Sequence, residues 1–557
     1  MRLIRGVSTV YDPKSKIWRG PRTPSIFNPN QSLGELILRM LDRNSDKVLQ
    51  ISADDDGRQV TGAELLLRTI RIAQNLLRKE LVDCADKDCL VAMAVRNGEH
   101  TAPVLFACFS LGITVNTLDP SFQRDDFAHM LETVRPKLIF CDAETLEEMR
   151  AACELAKIAP KIVVMGEKVS GFDHVEDLLL ATEDEENFVP VHFEDPAKQL
   201  AILVCSSGTT GRSKAVGLSH AICIAHVVNF LECRPSDRLF AFSSLYWLSG
   251  LVVLLMGSIW GATRIITRRG FSSALAIEIV ERFQVTVALY PPSQVNAIIA
   301  DPTANSESFD SMRLAFSGGG AVSTTLKRQL DKLLPGRSSE IAYGFSEIGF
   351  SVAFTINSPP RKNVAEIYRE GAVGFLQAGT EVKIVDDHGK LLGIDQEGEI
   401  LVKARYAFLG YYGNDEATGI MMDSEGWLHS GDIGRFDKDG LLYIVDRKKD
   451  IIKYGNYQIS PSEIENVVLS VPGVVSVCVV GIPVEGNDLA AALVVPTDSN
   501  CSSDAVLRAV EQKLPSYKHL RGGVYFTDKL PLTSTGKILR REARSVVLQM
   551  RNNSGLK

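Results

Sequence analysis

The sequence predicts an α/β protein: a large layered N-terminal domain over residues 1–448, and a small α+β C-terminal domain over residues 449–557. Three observations predict it. A chain of 557 residues is longer than a single core supports. Up to about residue 440, short apolar runs of strand length alternate with stretches of helical period. Beyond the charged run "DRKKD" (Asp446–Asp450), the same alternation restarts on a smaller scale.

Composition narrows the class. With 45% hydrophobic and 23% charged residues the chain reads as an ordinary globular protein. A net charge of -7, with lysine and arginine spread throughout, gives no basic footprint for nucleic acid. Ten cysteines form no C-x-x-C pair and meet no histidine cluster at zinc spacing, so free thiols in a reducing compartment are expected. The opening "MRLIRGVSTVY" lacks the apolar core of a secretory signal, and the final Gly555-Leu556-Lys557 is not S-K-L. An intracellular, cytoplasmic protein is the expectation, with a peroxisomal one left open although the final residues are not S-K-L.

The elements follow in order. Thr61 and Glu64 stand at capping-box spacing before the amphipathic "LLLRTIRIAQNLL". "LAILV" (Leu200–Val204) is a buried-strand run, and Ser219 is placed to cap a helix with Ala221, Ile224, Ala225, Val228 and Leu231 on one face. From Leu239 to Thr263 no charge occurs for 25 residues, which is bilayer length. Four serines, three glycines and a dense apolar part of only ten residues (Leu251–Trp260) predict a buried strand and helix instead, with no transmembrane span. Glycine-rich turns follow at "SGGGA" (Ser317–Ala321) and "YGFSEIG" (Tyr343–Gly349), then Asp439-Gly440 between two β-type runs signals a hairpin. In the tail, Ser460-Pro461-Ser462-Glu463 combines an N-cap serine, a proline at the first helical position and a capping-box glutamate. The strands "VVSVCVVGI" and "AAALVV", a helix near Asp504–Leu514 and a basic helix from Leu539 complete it.

The stretch "CSSGTTGRSK" (Cys205–Lys214) resembles a nucleotide loop, but its glycines and lysine do not keep the G-x-x-x-x-G-K-[ST] spacing of a Walker loop. Five hydroxyl side chains, two glycines and a lysine between a buried strand and a helix still suit polyphosphate oxygens better than a flexible linker.

Six motifs occur together: "SSGTTGRSK", "SGGGA", "YGFSE", "GWLHSGD", "DRKKDIIKYGNYQISPSEIE" and "PLTSTGKILRRE". In order and spacing they resemble the adenylate-forming superfamily over nearly the whole chain, and within it the 4-coumarate–CoA ligase and luciferase-like branch. The resemblance implies an adenylate-forming N-terminal domain with a C-terminal lid. It also implies a two-step reaction, in which a carboxylate attacks the α-phosphate of ATP and a thiol then displaces AMP. ATP, Mg2+ and CoA are the implied small molecules, beside a carboxylic acid.

Residue by residue, it implies that Ser206, Ser207, Gly208, Thr209, Thr210, Gly211 and Lys214 hold the phosphates, and that Glu347 with Thr210 faces magnesium. Gly318, Gly319 and Gly320 form the adenine turn, with Gly344 near it; Tyr343 stacks on the base, and Ser346 stands at a position where the family usually has threonine. Asp432, with Arg447 nearby, accepts from the ribose. Lys537 serves adenylation and Lys453 belongs to the loop facing the site in the thiol step, beside Gly455 and Asn456. Lys449 is the hinge between the two arrangements. Trp247, with Gly319 and Gly344, borders the acyl pocket.

Ser213 for proline, Ala215 for glycine and Asn456 for glycine depart further from the family pattern. If Ala215 needed a positive φ, the cost would be on the order of 1 kcal/mol. Trp247 replaces a common histidine with an apolar wall. Together with Leu245, Leu248 and Leu251 it points to a hydrophobic acid, a medium- or long-chain fatty acid. An aryl-propenoic acid, a luciferase-like oxygenation and an idle acyl- or nucleotide-binding relative remain the alternatives.

Overall fold

The computed structural model describes residues 9–21, 27–28, 30–86, 88–206, 213–230, 233–334, 336, 339–349, 352–354, 369–406, 408–455, 457–484, 487–497, 501–532 and 538–553. Two sheets build the N-terminal body. One has seven strands, with Leu90–Ala94, Thr114–Thr117 and Leu138–Asp142 parallel at its centre and the pair Leu200–Ser206 and Lys214–Ser219 antiparallel at its edge. The other has fifteen strands and changes character at Glu340–Tyr343. That strand runs parallel to Leu314–Gly318, which runs parallel to Val287–Tyr290; its other neighbour, Ala353–Phe354, is antiparallel. Parallel neighbours bring their following loops to the same edge. "SGGGA" and "YGFSEIG" therefore lie side by side, although 26 positions separate Ser317 from Tyr343.

Helices Leu33–Arg43, Gly62–Arg78, Thr101–Leu111 and Leu248–Trp260 share one apolar cluster with strands of both sheets. Leu248–Trp260 is buried continuously from Gly250 to Ile259, so the uncharged stretch is a core helix following the strand Arg238–Phe240. Among the described residues no helix is long and apolar enough to cross a membrane. Thr61 and Glu64 make the expected reciprocal capping box, and Ser219 Oγ accepts the Ile222 amide. Ala225 on the capped helix is half-buried, and the side chains of Val228 and Leu231 lie outside the described residues. The Asp439-Gly440 turn joins Leu428–Phe436 to Leu442–Arg447, with Gly440 at φ 82°.

The tail forms its own three-stranded sheet: Val474–Val484 antiparallel to Asn487–Pro496, and Gly523–Phe526 parallel to the latter. Val477 and Val479 face helices Pro461–Val468 and Ser503–Lys513, whereas Cys478 and Val480 face the basic helix Arg540–Asn553. This is the period-two alternation of a strand covered on both faces.

One expected motif takes another form. Ser460 makes no cap to its own helix. Its hydroxyl donates to Asp446 Oδ2 at 2.8 Å, and the same oxygen accepts the Ser462 amide at 2.9 Å. Glu463 accepts from Lys518. The capping oxygen thus comes from a strand of the body, because a buried carboxylate competes better for the helix amides than a hydroxyl does.

Candidate active site

The supposed phosphate loop is flanked by two antiparallel strands rather than by a strand and a helix: Ser206 pairs with Lys214. Ser207, Gly208, Thr209, Thr210 and Gly211 lie outside the described residues. The strand Lys214–Ser219 also corrects the expectation at Ala215, which pairs with Cys205 and is not at positive φ. Extended backbone suits alanine, so the anticipated strain is absent. Ser213 is held from both sides. His129 Nε2 donates to its carbonyl at 3.0 Å, which fixes the Nε2–H tautomer, and its hydroxyl bonds the buried Tyr246 phenol, whose pKa burial pushes up.

A segment that the motifs did not single out closes this side. Leu409 and Tyr412 donate to the carbonyls of Gly217 and Ala215, and Gly217 donates back to Gly410, so residues 409–412 line up along the hairpin's outer strand. They bring Tyr411 beside the start of that strand. Its hydroxyl donates to Glu347 Oε1 at 2.6 Å, Ser206 bonds the same phenol, and Lys214 Nζ stands 4.7 Å from the ring centroid. Burial first, then the Glu347 charge, push the Tyr411 pKa far up, so the phenol keeps its proton. The only advance signal was Gly410 before Tyr411 in "LGYYGNDE", which opens the helix Asp415–Met421 capped by Asn414.

At the sheet edge, a Cβ on Gly318 would sit 2.6 Å from the Ala342 carbonyl, so only glycine fits between the two strands. Gly319 has φ 77° with nothing within 4 Å of a would-be Cβ, and at Gly320 the nearest atom is 3.6 Å away on Pro292. The turn therefore offers bare backbone to a flat partner. Tyr343 donates to Asp432 Oδ2 at 2.8 Å, and Arg447 Nε lies 3.3 Å from Asp432 Oδ1, the two residues being paired across the hairpin. Burial and the Asp432 charge push the Tyr343 pKa well up. Gly344 and Ser346 follow, half-buried, in the turn that carries the buried Glu347.

Among the described residues no three His, Cys, Asp or Glu side chains form a metal cluster. The single buried carboxylate of Glu347 fits Mg2+, which keeps several waters and binds through one or two carboxylates plus substrate phosphates.

Trp247 is the half-buried residue before helix Leu248–Trp260, edge-on to Tyr246 at 4.7 Å, and Tyr246 in turn meets Phe122 at 5.3 Å. Leu245 and Leu251 are buried and Leu248 half-buried.

Among the described tail residues, Lys453 and Gly455 are not brought to this cluster. Lys453 is exposed in Ile452–Tyr454, paired with Gln458, and among the described residues its side chain makes no hydrogen bond or ion pair to Glu347 or Asp432. Gly455 has φ 58° in the hairpin turn and donates to Asn487 Oδ1. Asn456 and Lys537 lie outside the described residues. At the supposed hinge Lys449 is exposed, whereas its neighbour Lys448 is tied to the body through Glu399 at 2.8 Å and Asp387 at 3.6 Å.

Comparison with known proteins agrees with this geometry. Residues 39–412 match the model of AMP-binding enzymes, and residues 463–537 that of the AMP-binding enzyme C-terminal domain. The chain is 29% identical over 540 residues to the peroxisomal OPC-8:0-CoA ligase 1 of Arabidopsis thaliana, covering 94% of each. It is 29% identical to 4-coumarate–CoA ligase 1 of Oryza sativa subsp. japonica, covering 82% of each. A luciferin 4-monooxygenase of Photuris pensylvanica is 28% identical over 94% of this chain and 97% of that one. In fold it is similar to ATP-bound MatB from Rhodopseudomonas palustris, at TM-score 0.81 and 23% identity over 93% of this chain and 99% of the other.

Proposed function

Because the chain belongs to the AMP-binding enzyme family, whose model spans residues 39–412, we propose that it is an ATP-dependent acid–CoA ligase acting through an acyl-adenylate. In the first step a carboxylate oxygen attacks the α-phosphorus and pyrophosphate leaves. In the second a thiol sulfur attacks the acyl carbonyl and AMP leaves. Both steps gather negative charge, so the protein's contribution is positioning, with donors and cations at the developing charge. The observation that carries this reading is the meeting, at one sheet edge, of the bare Gly318–Gly320 turn and the Tyr343–Asp432–Arg447 group.

In this reading the turn takes the adenine against Tyr343, Asp432 accepts from the ribose with Arg447 beside it, and residues 206–214 take the β and γ phosphates. Glu347, with Thr210, would hold magnesium, which supplies neutralisation of the triphosphate. Lys537 serves the first step. Lys453 and the Gly455-Asn456 turn serve the second, after a rotation at Lys449 between a body of residues 1–448 and a tail of residues 449–557. The ten free cysteines fit a reducing, cytoplasmic setting.

The acid is hydrophobic, a medium- or long-chain fatty acid, because Trp247 and its leucines offer no charge to a second polar group. The 4-coumarate–CoA ligase relatives favour an aryl-propenoic acid as the second reading. Purified protein incubated with ATP, Mg2+, CoA and both acid classes decides it, with pyrophosphate and acyl-CoA followed separately. Fatty acyl-CoA is expected. Cinnamoyl-type thioesters alone would replace the substrate class, light from luciferin would replace the second step, and neither ATP binding nor products would remove the reading.

A further inference from the structure

We propose that Tyr411 is a positioning residue for the divalent cation, orienting the Glu347 carboxylate through its hydroxyl while its ring keeps Lys214 apart from that carboxylate. This rests on the reading of Glu347 and Lys214 as part of a magnesium–triphosphate site. Tyr411 is only 7% exposed and clamped: its amide donates to Thr418 Oγ1 at 2.9 Å, its neighbours are bonded along the Lys214–Ser219 strand, and Phe408 lies edge-on at 5.3 Å. A phenol held this way donates its proton to Glu347 Oε1 at 2.6 Å. A hydrogen bond to an ionised acceptor is among the strong ones, and it fixes the carboxylate's rotation, turning the other oxygen to a ligand.

The same ring meets the Lys214 ammonium at 4.7 Å, within cation–π range. An ammonium and a carboxylate this close to one side chain would otherwise collapse into an ion pair, and both would be withdrawn from phosphate and metal. Tyr411 stands between them, so each charge is held by a neutral group that a phosphate or a cation can displace or join. The hydroxyl and the ring thus have separable duties.

The test is ATP binding by calorimetry, with and without Mg2+, for wild type, Tyr411→Phe, Tyr411→Leu, Glu347→Gln and the Tyr411→Phe/Glu347→Gln double variant. Tyr411→Phe keeps the ring, so metal-free ATP affinity should stay within about twofold, while the gain on adding Mg2+ should shrink about tenfold or more. Tyr411→Leu should also weaken metal-free binding. In the Glu347→Gln background Tyr411→Phe should remove nothing further from the Mg2+ gain. An unchanged Mg2+ gain in Tyr411→Phe overturns the proposal, as does an equal loss with and without metal, which is what a packing role alone would give. If wild type binds ATP but shows no Mg2+ gain, the metal reading of Glu347 fails and takes this inference with it; if it binds no ATP, the ligase reading fails first.

Discussion

A lysine is only as useful as the charge it can reach, and in the proposed reading two lysines divide this chain's chemistry. Lys537→Ala should abolish pyrophosphate release from ATP and acid, yet leave thioester formation from supplied acyl-adenylate within about threefold, since a group that acts in one transition state costs only that step. Lys453→Ala should do the reverse, and equal losses in both half-reactions would sink the division. Gly318 supports a prediction of another kind. A methyl group there meets the Ala342 carbonyl at 2.6 Å, backbone that belongs to the neighbouring strand and cannot swing aside. Gly318→Ala should raise the ATP dissociation constant about tenfold, roughly 1.4 kcal/mol, measured by the same titration on a variant whose thermal midpoint shows it folded. Retention of wild-type affinity would mean that the turn does not receive the base.

Elements show which features a linear reading can reach. The Thr61–Glu64 capping box, the Ser219 cap, the Asp439-Gly440 hairpin and the tail strands were legible because their partners lie within a few residues or their apolar runs are of strand length. Lys214–Ser219 was not read as a strand, because "KAVGLS" is short and its outer neighbour, residues 409–412, lies far along the chain. The same distance hid Tyr411, and a similar one concealed that Asp446 rather than Ser460 caps the tail helix. At the candidate site, Tyr343 and Asp432 were nameable from motifs, but their hydrogen bond was not.

His220, which opens the helix capped by Ser219, yields the pH prediction at this scale. Its Nδ1 accepts the Leu33 amide at 3.1 Å, and burial pushes its pKa down to about 4. The unfolded chain takes up this proton below about pH 6.5 and the folded one only near pH 4, so its contribution is complete above pH 6.5 and is lost as pH falls toward 4. That loss is on the order of 3 kcal/mol. His220→Asn, which keeps an acceptor and removes the titration, should flatten the fall in urea midpoint between pH 7 and pH 4.5. An unchanged slope would assign acid sensitivity elsewhere.

On the scale of the molecule, the polar ties between body and tail among the described residues include Gln458 to Asp387 at 3.4 Å and Ser460 and Ser462 to Asp446. A pivot at Lys449 predicts that Lys449→Pro, which fixes φ there, leaves one half-reaction near its wild-type rate and slows the other at least tenfold; equal slowing would refute the pivot. Asp446 gives that pivot a resting place. It travels with the body strand Leu442–Arg447, while the amide and hydroxyl it satisfies travel with the tail. Every turn at Lys449 must therefore strip the tail helix of its cap or find it a new one. A cap is worth about 1 kcal/mol, enough to weight one posture about fivefold over the other. On the proposed two-step reading Asp446 would therefore be a detent as well as a helix cap: it would hold the tail in this one posture, and the interval between the two steps would be set partly by an aspartate outside the candidate site.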